Sequence, residues 1–158
     1  PVLFVRISKA GKCIGKKFAS RYYDSFSYGA LLYCVADGDM NVAFSSCADH
    51  TSLLPAPSHS VEELDIETNV FEVQKDGELI FGFPKVNYAR MVPSGGELLK
   101  EMIEDAICKA SKLTSLRIGD YMAVELTPVC PLASREESEV SFKATFCGNG
   151  LYDLKLIF

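Results

Sequence analysis

The chain has 158 residues, is 48% hydrophobic and carries a formal net charge of −5, values that suit one folded domain with its own core. This negative balance gives no reason to expect nucleic acid or an anionic membrane surface as a partner. No apolar run approaches the roughly 20 residues of a membrane span, and the first residues lack the pattern of a signal peptide. Because the first residue is Pro1 rather than Met, a processed start and a segment before Pro1 both remain open.

Six cysteines are spread through the chain, and no two have the C-x-x-C spacing of zinc or thioredoxin-like sites. A domain of this size needs no disulfides for stability, and nothing in its sequence indicates secretion. We therefore expect buried, reduced thiols and a cytoplasmic location. The cysteines are Cys13, Cys34, Cys47, Cys108, Cys130 and Cys147.

The start of the chain predicts two buried strands with a short helix between them. Residues 2–7 and 28–35 are almost continuous apolar runs, as in strands that are covered on both faces. Residues 16–24 lack strand alternation, and Phe18 and Tyr22, with Tyr23 as a further candidate, could form one face of a short helix there.

A long segment of small and polar residues follows at 41–60 and contains Pro55 and Pro57. Loops of this length are often binding or active-site loops. Ser60 predicts the cap of a helical turn over residues 61–66, because Glu63 stands three positions further on.

The middle of the chain contains a hairpin and a helix with clear signals. Residues 69–74 and 78–83 flank an Asp-Gly turn, which is the pattern of a β-hairpin. Residues 94–112 repeat apolar side chains at i, i+3 and i+4, which predicts an amphipathic helix with Ser94 and Glu97 as its capping box.

The last third of the chain is rich in predicted strands. After a Gly-Asp turn, residues 121–126 form a β-rich run, which Thr127 and Pro128 end. Residues 140–147 and 151–158 are two more runs, and the Gly-Asn-Gly between them tolerates the positive φ of tight hairpin turns.

The order of these pieces resembles the fumarylacetoacetate hydrolase family. The hairpin KDGELI, the helix ELLKEMIEDAICKASKLTSLRIGD, the strand YMAVEL and Thr127-Pro128 follow one another as in the C-terminal half of that family. The stretches VLFVRISKAGKCIGKKFASRYYD and YGALLYCVADGD stand where its first core strands and intervening helix belong. The resemblance implies an α+β fold: a single domain over residues 1–158, built as a mixed β-roll or barrel with a few short helices.

The resemblance also implies a chemistry. Family members are hydrolases, isomerases, hydratases and decarboxylases of small β-diketo or 2-oxo acids, and they usually form homodimers. A Mg²⁺ or similar ion, held by a Glu-x-Glu pair and a later Asp, chelates the oxo acid and stabilises the enolate. For this chain the resemblance therefore implies a small oxo-acid ligand and a homodimer.

The residues at the family's metal positions depart from that pattern. In the register of the first strand, the second metal-binding Glu falls on Val2 and the first would precede Pro1. The metal-binding Asp falls on Leu31, and Mg²⁺ needs anionic or carbonyl oxygens at about 2.1 Å. We therefore expect no cofactor from these residues, unless Mg²⁺ ligands precede Pro1 or a shifted register brings in Asp37 or Asp39.

Three residues are candidates for catalysis. Thr127 could donate a hydrogen bond to a carboxylate, as the family's Thr does, and Asp49 with His50 could form a general acid/base pair in the long loop. The alternatives are a turn residue before Pro128 and an Asx-turn beside an exposed histidine. His59 lies in a Pro/Ser loop and is expected to be solvent-exposed.

Two functions follow from these residues and this resemblance. The first is a divergent family member that lacks the usual metal site and serves as a catalytically weak or silent small-molecule-binding or partner subunit. The second is an active metal-dependent hydrolase, isomerase or decarboxylase of a β-diketo or 2-oxo acid similar to fumarylpyruvate or oxaloacetate.

Overall fold

The computed structural model describes residues 1–33, 49–64, 69–83 and 96–158, with side chains in the helix from Leu99 onward. Within these ranges the chain forms nine strands, one α-helix and three short 3₁₀ helices. The strands are β1 Val2–Ile7, β2 Tyr23–Leu31, β3 Ser52–Leu53, β4 His59–Ser60, β5 Phe71–Lys75, β6 Glu78–Phe83, β7 Tyr121–Glu125, β8 Glu139–Phe146 and β9 Asn149–Ile157. The α-helix is α1 Gly96–Leu113, and the 3₁₀ helices are Lys16–Arg21, Val61–Glu63 and Arg135–Glu137.

The first sheet has the strand order β3-β2-β1-β7, and β4 also pairs with β2. The central strand is β1, which is antiparallel to both β2 and β7. This position explains its continuous apolar sequence, since Leu3 and Val5 on one face and Val2 and Phe4 on the other are all buried.

The second sheet has the order β6-β5-β8-β9, with every pair antiparallel. It shares one hydrophobic core with the first sheet. The aromatic rings of β2 meet those of the second sheet: Tyr28 stacks on Phe71 with ring centroids 4.8 Å apart, and Phe26 contacts Phe146 edge-on at 6.4 Å.

Helix α1 covers this core with Leu99, Ile103 and Ile107, which are fully buried. It is also bonded to the segment that connects β1 and β2. The backbone N–H of Ile14 donates to Ser111 Oγ at 2.9 Å, so the end of the helix is attached to that connection.

The implied α+β fold with predominantly antiparallel sheets is confirmed, but the described part of the chain shows no closed barrel. Every strand pairing in the described ranges is antiparallel, and the strands form two open sheets with no closed barrel among them. Residues 126–138 connect β7 of the first sheet to β8 of the second without forming a strand. Among the described residues, no ladder of hydrogen bonds joins the two sheets.

The two predicted hairpins are confirmed, although the turn of the last one begins earlier in the chain than predicted. The Asp76-Gly77 turn between β5 and β6 has φ values of 49° and 86°, as the hairpin pattern predicts. The last hairpin turns at Cys147-Gly148, one residue before the predicted Gly-Asn-Gly, because both of these residues take positive φ, at 49° and 79°. The helix is described from Gly96, so the predicted cap at Ser94 lies outside the described residues.

Two predictions about the start of the chain are wrong in detail. Residues 16–21 do form a short helix, but its buried residue is Ala19 and Phe18 is 43% exposed. Strand β2 begins at Tyr23, five residues earlier than predicted.

The prediction of buried thiols is wrong for the four cysteines that the structure describes. Cys13, Cys130 and Cys147 are exposed and Cys108 is half-buried, because the three exposed residues belong to turns and loops. Cys34 and Cys47 lie outside the described residues. No helix in the described ranges is long and apolar enough to span a membrane.

Candidate functional site

A pocket of about 280 Å³ lies between the two sheets, and we call it the inter-sheet pocket. Its walls come from β2 and β3 of the first sheet, from β5, β6, β8 and β9 of the second, and from the connection after β7. Most of its surface is aliphatic or aromatic. The lining residues are Pro1, Ala30, Leu31, Leu32, Leu53, Val73, Lys75, Ile80, Phe81, Thr127, Cys130, Pro131, Leu132, Phe142, Tyr152 and Leu154.

Lys75 is the only Lys or Arg among these lining residues. Its side chain is 25% exposed, and its Nζ forms an ion pair with Glu137 Oε1. Glu137 also accepts a hydrogen bond of 2.7 Å from the backbone N–H of Ser134. Lys75, followed by that N–H, lowers the pKa of the Glu137 carboxyl from its ordinary value.

Two hydroxyl groups belong to residues of the same lining. Thr127 is half-buried at the start of the connection after β7. Tyr152 of β9 is also half-buried, and burial raises its pKa to about 12. The pocket therefore combines mostly apolar walls with the ammonium group of Lys75 and the hydroxyl groups of Thr127 and Tyr152.

The residues described here do not fit the metal ion that the resemblance implies. Leu31, at the position expected for the metal-binding Asp, lines the pocket, whereas Val2 is buried in β1 and is only 3% exposed. None of the lining residues carries a carboxylate. Across the described ranges, no group of three or more His, Cys, Asp or Glu side chains is arranged to hold a metal. Asp37 and Asp39 lie outside those ranges.

The structure separates the three predicted catalytic residues. Thr127 lines the inter-sheet pocket, but Asp49 and His50 form an exposed turn and are not among its lining residues. His50 has a φ of 59°, which is consistent with the predicted turn. A catalytic role for these residues stays a prediction.

The expectation that His59 is solvent-exposed is wrong. His59 belongs to β4 and is half-buried, with its ring centroid 4.9 Å from that of Phe146 and 5.6 Å from that of Phe26. Its Nδ1 lies 3.4 Å from the Glu63 carboxylate. Pairing of β4 with β2 carries this side chain onto the aromatic core, which a loop assignment could not anticipate.

Sequence reasoning did not single out Lys75 or Glu137. Lys75 precedes a hairpin turn, where a cation is unremarkable, and its partner is 62 residues away. The sequence did contain one indication of this site. Lys75 ends a strand whose residue Val73 is buried, so its side chain is placed close to the core.

No protein-family model and no curated protein matches the chain. Solved structures do match it, at low sequence identity. Fumarylpyruvate hydrolase from Pseudomonas aeruginosa, in complex with Mn²⁺ and pyruvate, aligns with a TM-score of 0.67 and 16% identity over 99% of this chain and 63% of that one. Fumarylacetoacetate hydrolase from Exiguobacterium antarcticum aligns with a TM-score of 0.63 and 14% identity over 98% and 53%.

An isomerase has the same fold. The 5-carboxymethyl-2-hydroxymuconate delta-isomerase from Mycobacterium smegmatis aligns with a TM-score of 0.63 and 17% identity, over 98% of this chain and 55% of that one. The chain thus has a fumarylacetoacetate hydrolase-like fold, as the resemblance implied. It spans between 53% and 63% of the length of these three proteins.

Proposed function

We propose that the chain binds a small carboxylic acid with an apolar body in the inter-sheet pocket, as a catalytically weak or silent binding subunit. The observation that carries this proposal is the position of Lys75, the one Lys or Arg side chain in a mostly apolar lining. The pocket volume of about 280 Å³ lies near the lower end of the range for ligand sites, which suits a small molecule.

Charge and hydrogen bonding favour a carboxylate as the polar end of this ligand. A carboxylate that leaves water for an apolar pocket needs a charged partner, because its desolvation is otherwise too costly. An ammonium group has three N–H donors, and Glu137 occupies one of those of Lys75. The remaining donors are available to a ligand, and the hydroxyl groups of Thr127 and Tyr152 can bind further oxygens.

A 2-oxo acid is the ligand class that the fold supports. The Pseudomonas aeruginosa neighbour holds pyruvate together with Mn²⁺. In this chain Leu31 stands in the pocket where the family resemblance places a metal-binding Asp. An apolar group at that position supports binding through Lys75 and the hydroxyl groups, with the apolar body of the acid against Leu31 and Phe81.

Titration calorimetry tests this proposal with 2-oxo acids of increasing side-chain length and with their amides as uncharged analogues. Acids should bind and amides should not. Lys75→Met should weaken acid binding at least about tenfold, since a buried charge pair is lost. Lys143→Met is the matched control, because Lys143 is exposed on β8 and is absent from the lining. Equal affinities for the two variants would rule out Lys75 as the anion site.

A second candidate function is an active metal-dependent hydrolase, isomerase or decarboxylase of a 2-oxo acid. The hydrolases and the isomerase that share the fold favour it. Asp37 and Asp39 are its candidate ligands in this sequence. The assay is turnover of fumarylpyruvate and oxaloacetate with Mg²⁺ or Mn²⁺, repeated with Asp37→Asn and Asp39→Asn. Metal-dependent turnover that both substitutions abolish would favour this function over the silent one.

A homodimer and a cytoplasmic location are part of the same proposal, and the family resemblance supports the dimer. Light scattering coupled to size-exclusion chromatography measures the assembly directly. A mass of about twice the chain's 17.4 kDa is expected, and a mass equal to one chain would contradict the dimer.

A further inference from the structure

Half of the positive charge of this acidic chain is concentrated in two short segments. Residues 9–21 and 109–118 hold eight of the 16 Lys and Arg residues and no Asp or Glu. The rest of the chain has the other eight cations and all 21 acidic residues. The eight cations are Lys9, Lys12, Lys16, Lys17, Arg21, Lys109, Lys112 and Arg117.

The fold joins these two segments into one surface, which we call the basic patch. Gly11 and Leu116 exchange two backbone hydrogen bonds, of 3.0 and 2.9 Å. The backbone N–H of Cys13 donates to the carbonyl of Ser111 at 2.8 Å, and that of Ile14 donates to the Ser111 hydroxyl at 2.9 Å. The connection between β1 and β2 is therefore fastened along the end of α1, although the two segments are about a hundred residues apart in the chain.

Most of these cations form no direct ion pair in the described ranges, although Lys109 also interacts electrostatically with Asp105. All eight cations are exposed. Lys16 forms ion pairs with Glu101 and Asp105, at 2.9 and 2.8 Å. The other seven make no ion pair within 4 Å among the residues described.

Large apolar side chains lie exposed among these cations. Leu113 is 89% exposed and Ile118 is 67% exposed, and they directly follow the basic residues Lys112 and Arg117 in the chain. Phe18 is 43% exposed, and the charged ends of Lys17 and Arg21 lie over its ring at 4.8 and 5.6 Å.

We propose that the basic patch docks the chain on an anionic lipid surface. Lysine ammonium groups are attracted by anionic headgroups, and aliphatic side chains set among them can enter the interfacial layer. The net charge of −5 led to the expectation of no membrane partner, but a net charge sums over the whole surface and does not describe a local patch. Exposed charges further apart than a Debye length of about 8–10 Å are largely screened, so the local charge decides docking.

The composition of the patch favours lipid over the two other polyanionic partners. Six of its eight cations are Lys, a residue that is depleted in the cores of protein–protein interfaces. Single-stranded nucleic acid is bound on aromatic platforms, whereas the most exposed apolar residues here are Leu113 and Ile118. Binding to a fluid layer of lipid headgroups requires neither shape complementarity nor aromatic stacking, because it depends on charge attraction and on buried apolar area.

Vesicle flotation with the intact chain tests this inference. We expect binding to phosphatidylcholine vesicles that contain about 30 mol% phosphatidylserine, little binding to phosphatidylcholine alone, and release at high salt. The triple variant Lys12→Glu/Lys17→Glu/Lys112→Glu should lose at least about tenfold in affinity for the anionic vesicles. Leu113→Ser with Ile118→Ser should weaken binding while leaving its salt dependence in place.

The matched control is Lys100→Glu/Arg135→Glu/Lys143→Glu, which changes the charge equally at exposed positions outside the patch. It should lose less than about twofold. Circular dichroism of each variant verifies that it is folded. Equal losses in the two triple variants, equal binding to neutral vesicles, or binding to heparin or RNA without binding to anionic vesicles would each overturn the proposal. The inference does not depend on the function proposed for the inter-sheet pocket.

Discussion

The Nζ of Lys75 on β5 is bound to the carboxylate of Glu137, which lies in the short helix before β8, and the same Lys75 lines the inter-sheet pocket. The Glu137 carboxylate thus uses part of the hydrogen-bonding capacity of the ammonium group that we assign to the ligand. If the ligand carboxylate competes with Glu137 for Lys75, removing the charge of Glu137 should strengthen ligand binding.

Glu137→Gln should increase the affinity for small carboxylic acids, because the Lys75 ammonium no longer shares its charge with an anion. We expect a gain of about three- to tenfold, the range of one charge-assisted hydrogen bond. Titration calorimetry measures it, with Glu136→Gln as the control because Glu136 is an adjacent exposed acid that forms no ion pair within 4 Å in the described ranges. If Glu137→Gln weakens acid binding more than Glu136→Gln does, Glu137 supports the site instead of competing for it.

Four tyrosines should titrate late in an alkaline titration: Tyr23, Tyr28, Tyr33 and Tyr152. Burial, followed by Glu125, raises the pKa of Tyr33. Burial, with a smaller contribution from Glu104, raises the pKa of Tyr23 to about 12, and burial raises that of Tyr152 to about 12. Burial also raises the pKa of Tyr28. When the pKa of a tyrosine is higher in the folded than in the unfolded state, the folded state favours the neutral phenol. The resulting contribution to protein stability is complete below the unfolded-state pKa of about 10. It is lost as the pH rises through the folded-state pKa.

Ultraviolet absorbance should therefore show fewer than the seven tyrosines ionising in the folded protein near pH 10, with the rest appearing on unfolding. Tyr152→Phe should reduce the late group by one. Simultaneous ionisation of all seven residues while the protein is still folded would contradict the burial of these hydroxyl groups.

Gly29 allows β2 to pack closely between two neighbours, and Gly29→Ala should destabilise the protein. An added Cβ would collide with the carbonyl oxygen of Leu53 and lie 2.7 Å from the Phe4 ring. Overpacking of this kind costs about 1–3 kcal/mol of unfolding free energy. Denaturant unfolding measures the loss. Gly150→Ala on β9 is the control, because nothing lies within 4 Å of its added Cβ, and equal losses in both variants would show that β propensity alone is responsible.

Removal of the Tyr28 hydroxyl should not destabilise the protein. This hydroxyl is buried and has no hydrogen-bond partner among the described residues, whereas Ser27 Oγ donates to the Pro55 carbonyl at 3.0 Å. An unsatisfied buried polar group costs about 1–3 kcal/mol, so Tyr28→Phe should leave stability unchanged or raise it by about 1 kcal/mol. Ser27→Ala should lower it by about 1 kcal/mol. The reverse order of the two variants in a denaturant titration would mean that the Tyr28 hydroxyl has a favourable interaction.

The elements that sequence reasoning predicted well are those with local causes. The hairpin of β5 and β6 follows from an Asp-Gly turn between alternating residues, and α1 follows from its apolar spacing. The first half of β2 escaped prediction because Asp24, Ser25 and Ser27 interrupt its apolar pattern. Ser27 is nevertheless buried, since a carbonyl 28 residues away accepts its hydrogen bond.

The candidate site depended on contacts that spacing cannot reveal. Thr127 was found through the family resemblance, but the pairing of Lys75 with Glu137 arises only when the two sheets and their connection are assembled. The basic patch is a different case. Its two acid-free segments are visible in the sequence, but nothing local indicates that Gly11 will pair with Leu116.

The inter-sheet pocket has walls from both sheets, so a bound molecule would contact both of them and restrict their relative motion. Leu31 of β2 and Val73 of β5 belong to sheets that no ladder of hydrogen bonds joins in the described ranges. A molecule held between them would act as an internal cross-link, because either sheet could move only by breaking contacts with it. Amide hydrogen exchange along β2 and β5 should then slow together on ligand binding, including at residues that never touch the ligand.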